Sequence, residues 1–393
     1  MACRDWYQVL LPLLYRSARL EIAKVKSGAY QLPELTLKQA IDNGRQRYVR
    51  HLWIGVDMVD RGSYQTPAPI LRSCGQLPAV TGVYIFFYPN FSSAVRAFGR
   101  EDASRLASRV VSSFGALMGV ASKRLPNVRH IAVTSVHAYE RAMAVDPIEL
   151  QLAEKAGTLI GAQATKVALQ GCAMVEKVLA LGLRDSMRSI ALRVPMRMSR
   201  SLELVRRNSG SLERLIIDSR DRYEFDRRAL DVDVPASIFI DRVTRKTIVY
   251  PRLRSLHVYG RSPGASRKPI QLLANPVPSL EALRLGRCRT FPAAFVLLEN
   301  RARLRLLDVV LTRDIVRPLM GDSVVKESGF PSLTHVVLEQ FYEKSENYPD
   351  PLTYKLMELL GRSPRLESMD INGYLFAEED QYADYSSAGS SAE

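Results

Sequence analysis

The stretch Val49-Arg-His-Leu52-Trp-Ile54 carries a pattern that recurs down the chain. An apolar residue is followed by two polar or small residues, an apolar residue, one variable residue and another apolar residue. Ten further copies begin at Val80, Val128, Ala164, Met187, Leu212, Leu253, Leu280, Leu304, Leu333 and Leu366. Six of the eleven copies have proline two places before the first apolar residue, at Pro78, Pro126, Pro251, Pro278, Pro331 and Pro364. A block repeated in this way decides the architecture of a chain more than any single motif does.

The spacing inside the block predicts a short strand preceded by a turn. The last two apolar residues are two positions apart, so their side chains leave the same face of a strand. The first apolar residue comes three positions earlier, where the chain turns into the strand, and proline suits such a turn. One unit cannot bury its apolar edge alone, but stacked units can form a continuous core.

Helical spacing of apolar residues appears between the blocks and predicts helices near 101–122, 172–182, 199–207 and 352–360. Block starts are 23 to 48 residues apart. The shorter intervals fit a leucine-rich repeat, and the longer ones indicate insertions or a missed unit. We therefore predict an α/β fold, an irregular leucine-rich-repeat solenoid in which short parallel strands alternate with helices, with a small N-terminal helical cap. The alternative is a doubly wound sheet, although its strands would be longer apolar runs.

The predicted organisation has three parts. Residues 1–45 form a helical segment or cap, residues 46–376 form the repeat array, and residues 377–393 form an acidic, serine-rich tail that we expect to be disordered. No apolar run reaches the roughly 18 residues that a bilayer requires, so no membrane association is expected. The four cysteines are far apart and lack a C-x-x-C pair, which favours reduced thiols and a cytoplasmic or nuclear protein.

The net charge of +14 is concentrated in the middle of the chain. Residues 184–317 contain 28 Lys and Arg against 14 Asp and Glu, and 26 of those 28 are arginine. Because arginine forms bidentate contacts with carboxylates and phosphates, these repeats are a candidate surface for an acidic partner. The alternative is a solvated face whose arginine stems cover apolar surface.

The N-terminal segment supplies a resemblance to a known family. Trp6, Leu10 and Leu13 share one helical face, and the order Cys3-Arg-Asp-Trp6, Leu13-Leu-Tyr-Arg16 and then the repeats resembles the end of an F-box followed by its repeat array. The chain thus resembles a degenerate F-box/leucine-rich-repeat protein of the fungal type, with a truncated F-box at the N-terminus. The resemblance implies that residues 3–20 contact a Skp-type adaptor of a cullin ubiquitin ligase. A helix that caps the solenoid is an alternative reading of the same residues.

No motif nominates an enzyme, and we expect no catalytic residue, cofactor or metal. Gly260-Arg-Ser262-Pro-Gly264 matches the G-x-S-x-G elbow, but Pro263 lacks the N–H that would bind an oxyanion. His51, His130 and His335 share one position of the block, which indicates a shared structural environment and not a metal cluster.

Two functions remain open from the sequence. The first is a protein-interaction scaffold that recruits substrates to a ubiquitin ligase, with contacts drawn from the polar and variable block positions. These candidates are Trp53, Tyr84, Arg129, Arg254, His257, Arg284, Glu339 and Asp370. The second is a nucleic-acid-binding solenoid, suggested by the pI of about 9.7, although the aromatic residues do not interleave with the arginines in the sequence.

Overall fold

The structure, a computed structural model, describes most of the chain in thirteen stretches. These are residues 10–22, 33–57, 67–88, 91–135, 147–170, 186–193, 199–218, 238–241, 244–259, 272–286, 291–311, 313–341 and 351–374. The chain divides into two compact units, Met1–Val234 and Pro235–Glu393. The division falls inside the array that we predicted over 46–376, and the predicted tail, 377–393, lies outside the described residues.

The first unit is a parallel sheet whose strands follow one another in chain order. Its strands are Ser17–Glu21 (β1), His51–Asp57 (β2), Gly82–Tyr88 (β3), His130–Ser135 (β4), Lys166–Gln170 (β5), Ser189–Arg193 (β6) and Arg214–Asp218 (β7). Each strand pairs in parallel with the next. Its helices are Leu37–Asp42 (α1), Pro67–Ser73 (α2), Phe91–Phe98 (α3), Arg100–Arg124 (α4), Pro147–Gln163 (α5) and Ser199–Arg207 (α6).

The second unit repeats this arrangement. Its strands are Ser255–Tyr259 (β8), Ala282–Leu285 (β9), Leu306–Leu311 (β10), His335–Phe341 (β11) and Ser368–Tyr374 (β12), again parallel and in chain order. Its helices are Ala293–Asn300 (α7), Arg313–Gly321 (α8), Ser323–Ser328 (α9) and Pro351–Gly361 (α10). The predicted α/β class, with short parallel strands alternating with helices, is confirmed. A doubly wound sheet reverses its strand order at a switch point, whereas the order within each unit runs without reversal.

Alternation of burial along the strands confirms how the block was interpreted. In β4, Ile131 and Val133 are fully buried while Ala132 between them is half-buried. Ile131 lies beside Val83 and Val133 beside Ile85 in the neighbouring strand, so the apolar positions stack in register. One face of each sheet is therefore core, and the other, which we name the open face, carries the variable residue of each block.

The predicted turns before the strands are present at all six prolines. The N–H of the first apolar residue donates to the carbonyl three residues back, as from Leu280 to Val277 at 3.2 Å. This is a β-turn with proline at its second position, where the fixed φ of the ring suits it. The residue before each proline is also buried: Leu77, Leu125, Tyr250, Val277, Phe330 and Ser363.

A main-chain ladder joins the starts of neighbouring strands. The carbonyl of Arg16, the residue before β1, accepts the N–H groups of Arg50 at 2.8 Å and of His51 at 3.0 Å. The same double acceptance is made by Arg50, Thr81, Arg129, Thr165, Arg188, Arg254, Glu281, Arg305 and Thr334. The register is thus fixed at the first residue of each strand, whatever the side chains there.

The helices account for most of the uneven block spacing. The predicted helices at 101–122, 199–207 and 352–360 are confirmed by α4, α6 and α10, while 172–182 lies outside the described residues. The longest interval, from Val80 to Val128, contains α3 and the 25-residue α4 with no added strand among its described residues. This interval is therefore an insertion of helix.

The N-terminal segment corrects one prediction. Within residues 1–45, which we expected to be helical, Ser17–Glu21 is a strand that pairs with β2. Ala18, Leu20 and Ile22 are buried and Arg19 is half-buried, which is the alternation that a strand with one buried face requires. Tyr15, Ala18 and Leu20 thus form a twelfth block, whose pattern is weak in the sequence because two of its apolar positions are filled by tyrosine and alanine.

Candidate binding surface

Three adjacent strands place aromatic side chains together on the open face of the first unit. We name this group the aromatic patch: His51 and Trp53 from β2, Tyr84 and Phe86 from β3, and His130 from β4. The register pairs Trp53 with Tyr84 directly, because both occupy the variable position of their blocks. Two predicted contact residues are therefore brought side by side.

Ring stacking organises the aromatic patch. The ring of Trp53 lies nearly parallel to that of Tyr84, with centroids 4.8 Å apart, and to that of Phe86, with centroids 5.2 Å apart. The rings of His51 and His130 meet Tyr84 edge-on, at 5.7 and 5.3 Å. Such pairs hold the rings in one arrangement before any partner binds.

Gly82 provides the space that the aromatic patch needs. It lies opposite His51 in the register, and a Cβ atom there would be 2.9 Å from His51 Nδ1 and 3.2 Å from a ring carbon of Tyr84. Both distances are shorter than ordinary van der Waals contact. Only glycine lets the two rings lean over the main chain of β3.

Polar atoms of the aromatic patch are held away from water. Tyr84 Oη and His130 Nδ1 form a hydrogen bond of 3.3 Å. Within the described part of the chain, the buried atoms His51 Nδ1 and Trp53 Nε1 have no hydrogen-bond partner. Because buried polar groups are nearly always paired, these two atoms leave hydrogen-bonding capacity unused.

Burial and positive charge keep the histidines of the patch neutral. The pKa of His51 is lowered by burial and by the charge of Arg16. The pKa of His130 is lowered by burial and by the charges of Lys166 and His51. Burial also raises the pKa of Tyr84, so that its hydroxyl stays protonated. The patch is thus uncharged near neutral pH, while the side chains at its border are cationic.

Those cations lie at the amino ends of the strands. We name them the basic row: Arg16 before β1, Arg50 before β2, Arg129 before β4, and Lys166, the first residue of β5. All four are exposed, and none forms a salt bridge with any residue that the structure describes. The intervening positions Thr81 and Thr165 are neutral.

The equivalent positions farther along the chain contain carboxylates. Arg188 lies 3.7 Å from Glu213 in the first unit, and Arg254 lies 3.9 Å from Glu281 in the second. These pairs form between residues that precede neighbouring strands. Positive charge is therefore partly neutralised there, in contrast to the basic row.

The open face of the second unit is more polar. His257 and Tyr259 of β8 pack with ring centroids 4.3 Å apart, and the ring of Tyr259 occupies the space above Gly286. On the next two strands, Arg284 lies 3.8 Å from Asp308. Burial raises the pKa of Asp308, and Arg284 opposes that rise.

The predicted site residues thus fall into separate places. Trp53 and Tyr84 join the aromatic patch, Arg129 borders it, and Arg254, His257 and Arg284 belong to the second unit. Leu10 and Leu13 are exposed near the N-terminus, at 43% and 61%. Asp370 is exposed on β12. Trp6, Ser262 and the side chain of Glu339 lie outside the described residues.

Sequence reasoning did not assign His51, Phe86 and His130 to a surface with Trp53 and Tyr84. The available signal was periodic: His51 and His130 occupy the first strand position of their blocks, and Phe86 comes two residues after Tyr84. Positions two apart on a strand share a face. Together with the register of β2, β3 and β4, this spacing places all five residues next to one another on the open face.

Neither a metal site nor a membrane-spanning helix is found among the described residues. In the described stretches, no three His, Cys, Asp or Glu side chains come together as metal ligands would. None of the described helices combines the length and apolarity needed to cross a membrane.

Comparison with known proteins gives no identification. A scan against protein-family models found no match for this chain, and a search of curated proteins found none either.

Proposed function

We propose that this chain is a non-enzymatic protein-binding scaffold, an irregular leucine-rich-repeat array of the F-box type that holds a partner on the open face of its strands. The observation that carries the proposal is the aromatic patch, in which the half-buried Trp53 stacks on the half-buried Tyr84 and on the buried ring of Phe86. Aromatic side chains are enriched at the centres of protein interfaces because they bury much area at little entropic cost.

Preorganisation supports this proposal. Each ring of the aromatic patch contacts another ring, and Gly82 makes room for two of them. A partner would therefore meet side chains that have already lost their rotamer freedom, which reduces the cost of association.

The same geometry disfavours the nucleic-acid alternative. Proteins that bind single strands offer free aromatic faces on which bases stack. Here the Trp53 ring is already stacked on Tyr84 at 4.8 Å and on Phe86 at 5.2 Å. The aromatic rings therefore stack on one another and do not stand apart as separate platforms for successive bases.

A comparison of interaction partners tests the scaffold proposal. The wild-type chain and a Trp53→Ala, Tyr84→Ala variant would be cross-linked in cells and the captured proteins quantified. We expect specific partners to be lost from the variant by about tenfold, as removal of interface anchors predicts. A Tyr354→Ala variant, altered at an exposed aromatic residue of α10, serves as the control. Identical partner sets from all three proteins would refute the proposal.

A ligase role is the finer part of the proposal and rests on a different surface. Residues 10–14 are helical, and Leu10, Leu13 and Leu14 are 43%, 61% and 62% exposed. Leu11 of the same turn is fully buried, so the helix is anchored by one leucine while three others face outward. We propose that this leucine surface contacts a Skp-type adaptor.

Copurification with a Skp-type adaptor and a cullin tests this role. Leu13→Glu would place a charge on the leucine surface, and we expect adaptor recovery to fall by about tenfold. Leu273→Glu, at a residue that is 85% exposed in the second unit, gives the matched control. If the wild-type chain recovers no adaptor, the ligase role is wrong and the scaffold role stands.

A further inference from the structure

Positive charge is concentrated beside the aromatic patch, and this charge bears on which class of partner could bind there. Two positions are compared at the amino end of each strand: the residue just before the strand, and the first residue of the strand, whose side chain lies on the open face. Across β1 to β5 these ten positions contain Arg16, Arg50, Arg129 and Lys166, together with two histidines and no carboxylate. Arg16 and Arg50 precede neighbouring strands, so two like charges lie side by side without an intervening acid.

Other strands of the same architecture show that this arrangement is not imposed by the fold. Where the row continues, Glu213 accompanies Arg188, and in the second unit Glu281 accompanies Arg254. A carboxylate next to an arginine is thus readily accommodated at these positions. Among the described residues no carboxylate pairs with the basic row, although Arg50 donates a hydrogen bond to the Ala79 carbonyl at 3.5 Å, and like charges held close together favour an external anion.

From these observations we infer that the basic row and the aromatic patch together dock an acidic, extended segment of a partner protein, with carboxylates on the row and an apolar side chain against Trp53 and Tyr84. The inference rests on the proposed scaffold function and names its partner class. The inferred acid-binding surface differs from the one that the charge count of residues 184–317 suggested. In that segment Arg188, Arg254 and Arg284 each lie beside a carboxylate of the chain itself.

The dimensions of the row set the size of the segment. Neighbouring strands are about 4.8 Å apart, so the distance from β1 to β5 is about 19 Å. An extended chain covers about 3.3 Å per residue, so about six residues running across the strands would reach from Arg16 to Lys166. Alternate side chains of such a segment would point to the same side, so that carboxylates and apolar groups could separate between row and patch.

Binding of defined probes to the full chain tests this inference. The probes are a fluorescent glutamate- and leucine-rich peptide of about six residues, the same peptide with glutamine for glutamate, and an oligouridylate. We expect the glutamate peptide to bind at least about tenfold tighter than its glutamine analogue, and its affinity to fall with salt because exposed charges are screened. We expect Arg129→Glu to weaken peptide binding by about tenfold or more, since it reverses a charge in the row.

Matched control variants test whether the loss of peptide binding is specific to the position of Arg129. Arg109→Glu changes the same charge on the exposed side of α4 and should leave peptide binding unchanged. Arg129→Gln, which removes charge without adding a repulsive one, should give a smaller loss than Arg129→Glu. Circular dichroism of each variant checks folding, and the main-chain bonds of Arg129 do not depend on its side chain.

Three outcomes would overturn the inference. Equal binding of the glutamate and glutamine peptides would do so, even if partners captured in cells still depend on Trp53 and Tyr84, in which case the scaffold function survives. Equal losses from Arg109→Glu and Arg129→Glu would show that only net charge matters. Tighter binding of oligouridylate than of the peptide would favour a nucleic-acid partner.

Discussion

Two glycines on the open faces have the same role, which is to accommodate an aromatic ring from a neighbouring position. At Gly82 the rings belong to His51 and Tyr84, and at Gly286 the ring belongs to Tyr259. Neither glycine has a positive φ, so the requirement is for space and not for an unusual backbone conformation. A missing side chain is here part of how the aromatic surface is built.

Replacement of Gly82 by alanine tests this role. The new methyl group would be 2.9 Å from His51 Nδ1 and must push the rings aside, so we expect a loss of about 1–3 kcal/mol in the free energy of unfolding. Urea denaturation measures it, and tryptophan fluorescence reports the displacement of Trp53. Gly119→Ala is the control: this exposed helical glycine has nothing within 4 Å of the new methyl group, and we expect stabilisation by about 0.5–1 kcal/mol. Equal effects of the two changes would contradict the steric explanation.

The histidines of the aromatic patch make stability depend on pH. The pKa values of His51 and His130 are lowered from 6.5 in the folded chain, so the unfolded chain binds protons more readily. Their contribution is complete above pH 6.5 and decreases as the pH falls below that value. The same acidification would place charges next to Arg16 and Lys166, which are already cationic.

We therefore expect the urea midpoint to fall between pH 7.5 and pH 5.5, and to fall less in a His51→Gln, His130→Gln variant. His335→Gln is the control, because His335 is exposed on β11 of the second unit. An unchanged pH dependence in the double variant would show that other groups control the acid response.

Among the elements, two helices end on buried asparagines whose hydrogen bonding differs. Asn208, after α6, donates from Nδ2 to the Leu204 carbonyl at 3.0 Å and accepts the N–H of Met187 at 2.8 Å. Asn300, at the end of α7, donates to the Val296 carbonyl at 2.9 Å, but its Oδ1 has no partner within the described residues. Only Asn208 thus joins its helix to the start of the preceding block.

The difference predicts unequal costs for the same substitution. Asn208→Ala would leave the Met187 N–H unsatisfied, and we expect a loss of about 2–3 kcal/mol. Asn300→Ala removes one hydrogen bond and an unpaired oxygen, so a loss of about 1 kcal/mol or less is expected. Chemical denaturation of both variants compares them directly, and a larger cost at Asn300 would contradict the role assigned to Asn208.

At the level of elements, the sequence predicted the strands well because the apolar pair is a buried pair in ten of the eleven blocks, as in Leu215 and Ile217 of β7; Met369 and Ile371 of β12 are the exception. Helices α4, α6 and α10 were predicted from their periodicity. The helix α5 was not predicted, because Ile148, Leu152 and Ala156 are followed by apolar residues on other faces too. The stabilising role of the buried asparagines could not be predicted either, because it depends on hydrogen-bonding groups that other segments supply, as Met187 supplies an N–H to Asn208.

Within the second unit, the last strand lacks the cover that inner strands have. Ile371 of β12 occupies the block position that is fully buried at Leu338 of β11, its register partner, yet Ile371 is 50% exposed. Leu338→Ala should therefore cost about 2–5 kcal/mol and Ile371→Ala less than about 1 kcal/mol. Thermal and urea unfolding of the two variants provide the comparison, and equal costs would show that Ile371 is covered in solution.

At the level of the whole chain, composition predicted less than the local pattern did. The division at Val234 and Pro235 falls in the 41-residue interval between Leu212 and Leu253, but the longer interval from Val80 to Val128 contains no division, so interval length alone does not reveal it. The arginine excess of residues 184–317 suggested a binding surface, but whether an arginine is available depends on the neighbouring strand, as Glu213 beside Arg188 illustrates. The aromatic patch likewise needs the strand register, which a linear sequence does not contain.

The carbonyl before a strand accepts two N–H groups from the start of the next strand, and this arrangement affects how the sequence can evolve. Since only main-chain atoms take part, the alignment of adjacent strands tolerates any side chain at those sites except proline, which has no N–H, and it does not depend on the length of the connections. Loops and helices can be lengthened, shortened or exchanged between strands, as the interval containing α3 and α4 illustrates. Insertions and deletions can therefore diversify recognition while the frame of the sheet stays in place.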